Sequence, residues 1–339
     1  MSLYLYGVID SQDKVALGPI GFDRQQVEIL PAGRLAAMVG PSPQEDFFHM
    51  PKEKLVGLLL SHQQTLETVM KRFFVLPFKF GTTLKDESEA TRILQEGREA
   101  LTKLMGQMKG CTEIDVIATW DVKKTLQEIA EEDPEIAACK KAVTHGHTNG
   151  DVAFVGMLLA KALKQRAEQW KGEITQALFN YNVAPHDLLN DTMILNSSFL
   201  VPHQEEKNFM TKLEKVDAHF GGKIHFKCVG PLPPYSFATI MIKRFDPVQI
   251  QQAAAMLRLN GRTELLELKK IYRQLSKEFH PDHCLKPSQN EAGFEDINKA
   301  YEMVADYCKD GPKSLERAAV ESFSRLEVCA AQQESHCAA

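Results

Sequence analysis

The sequence predicts an α+β protein, a mixed α/β body in two parts followed by a small all-helical module. Up to Phe245 the apolar positions switch repeatedly between a period of two and helical spacing, whereas after it only helical spacing occurs. The join is Lys223–Phe245, which reads as strand, stiff loop, strand. Ile224, Phe226 and Cys228 alternate with Lys223, His225 and Lys227. Pro231, Pro233 and Pro234 then withdraw three amide donors, so no ladder continues there, and Ala238–Ile242 resumes with β-branched residues.

Taken in order, Ser2–Ile9 is a strand, and Val27–Val39 a second one interrupted at Pro31-Ala32-Gly33. Leu55, Leu59, His62, Leu66, Val69 and Phe73 form a helical stripe with His62 on its apolar seam. A lone seam histidine is most often a satisfied core residue. Phe73–Leu84 is a strand whose Pro77 implies an edge or a bulge. Asp86 and Glu89 have the spacing of a capping box for a helix burying Ala90, Leu94, Leu101, Leu104 and Met108 and ending at Gly110. A first domain, 1–110, ends there.

The second domain, 111–245, opens with the strand Cys111–Trp120 and a helix capped by Asp121. Glu131-Glu132-Asp133 before Pro134 fits helix-dipole chemistry better than metal binding, and His145-Gly146-His147 lacks a third ligand. A long helix carries Val155, Leu159, Leu163, Trp170, Ile174, Leu178 and Tyr181. Thr192–Val201 is a strand, and Phe209, Leu213, Val216 and Phe220 share one helical face. No phosphate loop, nucleophile elbow or HExxH motif occurs.

Composition excludes several classes. A net charge of −5 gives no electrostatic case for nucleic acid. No apolar run approaches the ~20 residues of a membrane span, and the N-terminus lacks the pattern of a signal peptide. Seven scattered cysteines suit a reducing compartment, so a cytoplasmic protein is expected, without cofactor or metal.

YLYGVID, HQQTLETVM, VLPFKFGTTL, GCTEIDV, MILNSSFLV and GPLPPYSF follow one another over residues 3–245. Together they resemble the gas vesicle GvpF/GvpL family, with Leu232 where that pattern usually has Trp. The resemblance implies two ferredoxin-like α/β domains. It also implies a non-enzymatic part in gas vesicle assembly, with the hydrophobic shell protein and other vesicle accessory proteins as partners and the vesicle as location. The shell-protein surface is expected at the sheet edge near Phe73–Leu84, with Phe78, Phe80, Tyr235 and Phe237 as its aromatic contacts.

Gln249–Leu259, Glu264–Phe279 and Glu291–Cys308 are three helical segments of a module at 246–312. The last two carry apolar stripes around a polar loop, an antiparallel hairpin. His280-Pro281-Asp282, after YRQLSKEF and before INKAYEMV, resembles the J-domain of DnaJ-type co-chaperones. The resemblance implies a DnaK-type ATPase as partner, met by His280, Pro281 and Asp282 and by the basic face of Lys269, Lys270 and Arg273. Glu278 departs from the family's frequent basic residue and weakens that face. A metal set of His280, Asp282, His283 and Cys284 ranks last, because adjacent ligands strain tetrahedral geometry. Leu315, Ala319, Phe323 and Leu326 mark a short amphipathic helix in a final segment, 313–339, whose tail is expected to be disordered. The competing readings are a free-standing DnaJ-type co-chaperone for another client, and an enzyme with its site between the two α/β domains.

Overall fold

The computed structural model describes residues 2–43, 47, 50–144, 149–279 and 287–329, though not the side chains of 142–144, 149–151, 287–292 and 329. The chain divides into two compact units, one running through Met241 and one spanning Ile242–Glu327.

The first half of the first unit is built from β1 (Leu3–Asp10), β2 (Ala16–Gly18), β3 (Val27–Ala32), β4 (Leu35–Pro41), α1 (Lys52–Met70), β5 (Val75–Pro77), β6 (Thr83–Leu84), α2 (Glu87–Glu96) and α3 (Arg98–Met108). Its antiparallel sheet runs β2-β3-β4-β1-β5, with β6 also pairing β1. Tyr4, Tyr6, Ile29 and Met38 pack with Leu66 and Val69 of α1. Asp86 caps α2 by accepting from the Glu89 amide at 2.9 Å, while Glu89 Oε2 accepts from the Lys85 amide at 2.7 Å.

Three expectations change here. The interrupted strand over 27–39 is a hairpin, β3 to β4, turning at Gly33-Arg34. Gly33 takes φ +79°, a conformation that costs only glycine nothing. Pro31 is tolerated inside β3, where it still pairs with Ala36. The strand expected over 73–84 is two short ones, because Pro77 cannot donate and Gly81 turns the chain. The helix after Asp86 breaks at Gly97, which serves as C-cap of α2 and N-cap of α3.

The second half contains β7 (Cys111–Trp120), α4 (Val122–Glu132), α5 (Pro134–Thr144), α6 (Asn149–Ala177), β8 (Asn182–Pro185), β9 (Met193–Pro202), α7 (Glu206–Phe220), β10 (Ile224–Leu232), α8 (Tyr235–Ala238) and β11 (Thr239–Arg244). Its sheet runs β10-β7-β9-β8, all antiparallel. With helices between the first and second and between the third and fourth strands, this is the ferredoxin-like arrangement. Trp120, Phe199 and Ile224 of the sheet pack against Trp170, Ile174 and Leu178 of α6 and Phe209, Leu213 and Phe220 of α7. Asp121 and Asp133 cap α4 and α5 through the amides of Lys124 and of Glu135 and Ile136. That accounts for the last member of the acidic triplet. β8 has no counterpart in the sequence reading, being four residues of mostly exposed edge.

Gly230, at the end of β10, is required by proximity. A Cβ there would lie 2.9 Å from the Glu113 carbonyl oxygen and 3.3 Å from Ile114 Cα. The following prolines then lead into α8, a single turn where only a stiff loop was expected.

The second unit holds α9 (Pro247–Met256), β12 (Arg262–Thr263), α10 (Leu265–Glu278), α11 (Pro287–Tyr307), β13 (Lys313–Ser314), α12 (Arg317–Ser322) and β14 (Ser324–Cys329). Asp246 caps α9, with Pro247 at the position where a missing amide costs nothing. Leu257, Leu268, Leu275, Ile297, Val304 and Tyr307 form the core. Tyr272 stacks on Tyr301 at 4.1 Å and donates to Asn298 at 2.7 Å, fastening α10 to α11.

The expected amphipathic helix over 315–326 is cut short. α12 stops at Ser322, and the chain continues as the strand β14. Two interactions fix the change. Leu315 and Val320 are buried in the same core as α10 and α11. Arg325, whose side chain is 9% exposed, reaches Asp306 and Glu327, both at 2.5 Å. A helix continued past Ser322 would carry Arg325 away from the C-terminal end of α11.

Candidate functional site

α10 is amphipathic. Leu268 and Leu275 point into the core, and Lys269, Lys270, Arg273 and Lys277 are exposed. The structure therefore gathers the three expected basic residues, plus Lys277, on one helix and turns them to solvent. Glu278, the acid that interrupts the basic run, does not stand alone. Arg258, held at φ +56° just after α9, donates two hydrogen bonds to its carboxylate, at 2.8 and 3.2 Å. Its charge is compensated from another element. His280, Pro281 and Asp282 lie outside the described residues, as do His283, Cys284, His145 and His147.

The aromatic set expected at the sheet edge has a different placement. Phe78 is 1% exposed; its amide donates to the Tyr6 carbonyl at 2.9 Å, and its neighbour Lys79 donates to Ile240 at 2.7 Å. Phe237 is buried with Ala184 and Leu200, against Met108 and Cys111. Phe80 is half-buried beside Phe47 and His62, and Tyr235 is half-buried against the core of the first half. The edge after Pro77 is thus met by the chain segment that follows α8. Phe78 and Phe237 are core residues, so neither presents a face to a partner.

Two polar centres are buried in the body, one around His62, the seam histidine of the sequence reading, and one around Glu113, which sequence did not single out. The first surrounds His62, 2% exposed, whose Nδ1 lies 3.0 Å from the Tyr4 hydroxyl and whose ring stacks on Tyr6. Burial pushes its pKa down to about 4, so it is neutral at pH 7. The second surrounds Glu113, 1% exposed on β7. Its carboxylate accepts from the Ser236 amide at 2.8 Å and the Ser236 hydroxyl at 2.9 Å, fastening α8 to the strand. Burial, opposed by those hydrogen bonds, pushes its pKa up to about 7. Ser198 donates to Asp115 at 2.5 Å and lies 2.7 Å from His186 Nε2.

Ser236 Oγ also lies 3.3 Å from His186 Nε2, which invites comparison with a nucleophile and base. A catalytic triad needs the second ring nitrogen held by a carboxylate. Here Asp115 instead accepts from Ser198. The arrangement is a clasp between β7, β9 and α8. An alternating strand reading T-E-I-D-V, with acids where polar face residues belong, was the sequence signal for it. Among the described residues no group of three His, Cys, Asp or Glu side chains could hold a metal ion. No described helix is long and apolar enough to cross a membrane.

Comparison with known proteins follows the division of the chain. The family described as gas vesicle synthesis protein GvpL/GvpF matches residues 2–239, and the DnaJ domain matches residues 255–309. Gas vesicle protein F of Dolichospermum flosaquae is 25% identical over 244 residues, covering 70% of this chain and 98% of that one. The crystal structure of GvpF from Anabaena sp. PCC7120 superposes with a TM-score of 0.59 at 25% identity, covering 69% and 97% of the two chains. Chaperone protein DnaJ 2 of Aquifex aeolicus is 48% identical over 40 residues, 12% of this chain and 10% of that one.

An antiparallel α/β body followed by a helical region that the DnaJ domain matches describes the class of the chain. The chain belongs to the gas vesicle synthesis protein GvpL/GvpF family. The matched relatives are named for gas vesicles and the helical match for a co-chaperone domain; neither name is that of an enzyme.

Proposed function

We propose that this chain is a non-enzymatic assembly factor for gas vesicles, acting in the cytoplasm and at the vesicle. Its α/β body binds the hydrophobic shell protein, and its J-domain recruits a DnaK-type chaperone to the same place. The observation that carries the reading is the fusion itself: a body matching a vesicle family over nearly its whole length is continuous with a DnaJ domain. The exposed basic face of α10 supports the second half of it.

The chemistry makes the pairing useful. A protein destined for an apolar wall exposes apolar surface before assembly, and such surface aggregates. A binder tight enough to prevent that also resists release. A tethered J-domain keeps the ATPase at high effective concentration beside the bound client. His280, Pro281 and Asp282, with Lys269, Lys270 and Arg273, are the groups assigned to the chaperone.

His280→Gln in the full chain tests the assignment. Shell-protein binding should persist, while stimulation of a DnaK-type ATPase is lost and vesicles form more slowly. If stimulation and vesicle formation are both normal, the helical module is a passive adaptor. If the purified chain stimulates the ATPase but cells lacking it form vesicles at the normal rate, the protein is a co-chaperone for another client.

A further inference from the structure

The first unit carries a slot of about 360 Å³ where the end of α1, the link between α3 and β7, and the turn before α8 meet. Its floor and walls are Phe73, Phe74, Leu232, Pro233 and Pro234, and its rim carries Lys71, Arg72 and Lys109. Among the described residues no carboxylate lines it. Lys109 is also the wall of a second depression, about 730 Å³, where Arg34, Arg98 and Lys103 outnumber Asp10 and Glu99. A chain with net charge −5 thus gathers six cationic side chains against two carboxylates around two depressions with Lys109 as their common wall, a groove of two parts.

Two of these cations are positioned by packing. The Arg72 guanidinium sits 5.6 Å from the centroid of the Phe73 ring, and both residues line the slot. The Arg98 guanidinium lies so close to the turn at Gly33 that a Cβ there would stand 2.6 Å from Nη2. Positioned charges beside a preformed apolar slot lose less entropy on binding than free ones. Lys109 has a partner in Asp10 at 3.4 Å, but both side chains are more than half exposed, so a competing carboxylate displaces it at little cost.

We propose that this groove docks an extended acidic segment of a partner protein, an apolar or aromatic side chain entering the slot and flanking carboxylates meeting Lys71, Arg72 and Lys109. Charge complementarity selects the sign of the partner. The shape selects a chain rather than a compact anion, because the two depressions adjoin through Lys109 and each lies within the usual range of a ligand pocket, about 300–1,000 Å³. The inference stands independently of the shell-protein reading, since it rests only on this groove.

The test is fluorescence anisotropy on the full chain with a labelled synthetic peptide of alternating Asp and Phe. Two controls accompany it, one with Lys for every Asp and one with Ser for every Phe. The Asp/Phe peptide should bind, the Lys peptide should not, and the Ser peptide should bind at least about tenfold more weakly. The double variant Lys71→Glu/Arg72→Glu should weaken binding at least about tenfold, an effect that shrinks in high salt. These side chains are exposed, so circular dichroism should be unchanged. Lys103→Glu probes the second depression and should weaken binding without abolishing it. Equal binding of the acidic and basic peptides would overturn the proposal, as would an undiminished affinity in the double variant. Displacement of the peptide by citrate or by an RNA oligonucleotide at comparable charge would also overturn it, marking a general anion surface.

Discussion

The body and the helical module place their conspicuous polar groups in opposite ways. In the body the conspicuous polar groups are inside: His62 is held by two tyrosines, and Glu113 clasps α8 through Ser236. In the module they are outside, with Lys269, Lys270, Arg273 and Lys277 displayed on a helix whose core is supplied by Leu268 and Leu275. Buried polar groups that are fully partnered specify an arrangement. Exposed charges on a rigid helix leave the fold indifferent to their identity and so are free to serve a partner. The difference separates residues that fix the fold from residues to which the fold is indifferent.

The sharpest way to break the comparison is to put a charge where the module has only apolar surface. Leu275→Asp, at a position 3% exposed, should cost about 4 kcal/mol or more and empty the module while the body stays folded. Thermal unfolding of the full chain should retain the body's transition and lose the module's. A single transition shifted as a whole would show that the two are one cooperative unit.

Truncation after Pro312 comes next. It removes Leu315 and Val320 from the core, and with them the Ser314 carbonyl that accepts from Tyr307 at 2.8 Å. Two buried aliphatic side chains are together worth about 3 to 4 kcal/mol. The module should melt earlier by differential scanning calorimetry, although the DnaJ match itself ends at residue 309. An unchanged transition would mean that the last strand and helix are ornament.

The body's buried groups make a prediction that the module's exposed ones do not. His62 stays neutral in the folded state down to about pH 4, while the unfolded chain protonates near 6.5. Its contribution is therefore complete above 6.5 and lost as pH falls toward 4. Glu113 has the opposite sign. The folded state keeps its proton up to about pH 7, the unfolded chain releases it near 4.5, and stability is lost as pH rises through that window. Each swing amounts to about 3 kcal/mol, and between 4.5 and 6.5 the two cancel. The parent body should be nearly flat there, and Glu113→Gln should unmask a rise of about 3 kcal/mol from pH 4 to 6.5. Urea denaturation across pH checks it; a variant as flat as the parent would remove Glu113 from the account.

How much of this was legible depended on how local each feature is. α1, α7 and α10 followed from apolar spacing within one segment, and Asp86, Asp121 and the acid before Pro134 from capping chemistry within one turn. The hairpin at Gly33-Arg34 was half legible: Pro31-Ala32-Gly33 marked an interruption, but a two-residue turn with apolar residues on both sides does not tell one broken strand from two. β8 is too short and too exposed to carry a pattern. The strand after Ser322 depends on Asp306, which is not nearby in sequence. The His280-Pro281-Asp282 motif could be read directly. The Glu113 clasp could not, since its partner Ser236 is 123 residues away. The burial of Phe78 and Phe237 likewise arises where the segment after α8 meets the end of β5, a juxtaposition that no single stretch encodes.

The smallest expected effect on stability is also the most direct test of the exposed face. Glu278 lies at the end of α10, where the helix dipole disfavours an acid, and its negative charge sits in the basic run. Arg258 compensates it through two hydrogen bonds, yet both side chains are at least half exposed, so the pair contributes little to folding. Glu278→Lys should leave the melting temperature of the module unchanged. It should raise stimulation of a DnaK-type ATPase, because it extends the run of Lys269, Lys270, Arg273 and Lys277 by one cation. The substitution also strands Arg258, so the gain could come from a loosened helix end. The double variant Arg258→Glu/Glu278→Lys separates the causes by restoring an ion pair while keeping lysine on α10. Stimulation raised in both variants assigns the effect to charge on the helix face. Stimulation raised in the single variant and lost in the pair assigns it to the freed Arg258. No change in either would mean that the partner reads the loop alone and that the basic face of α10 is solvent-facing charge.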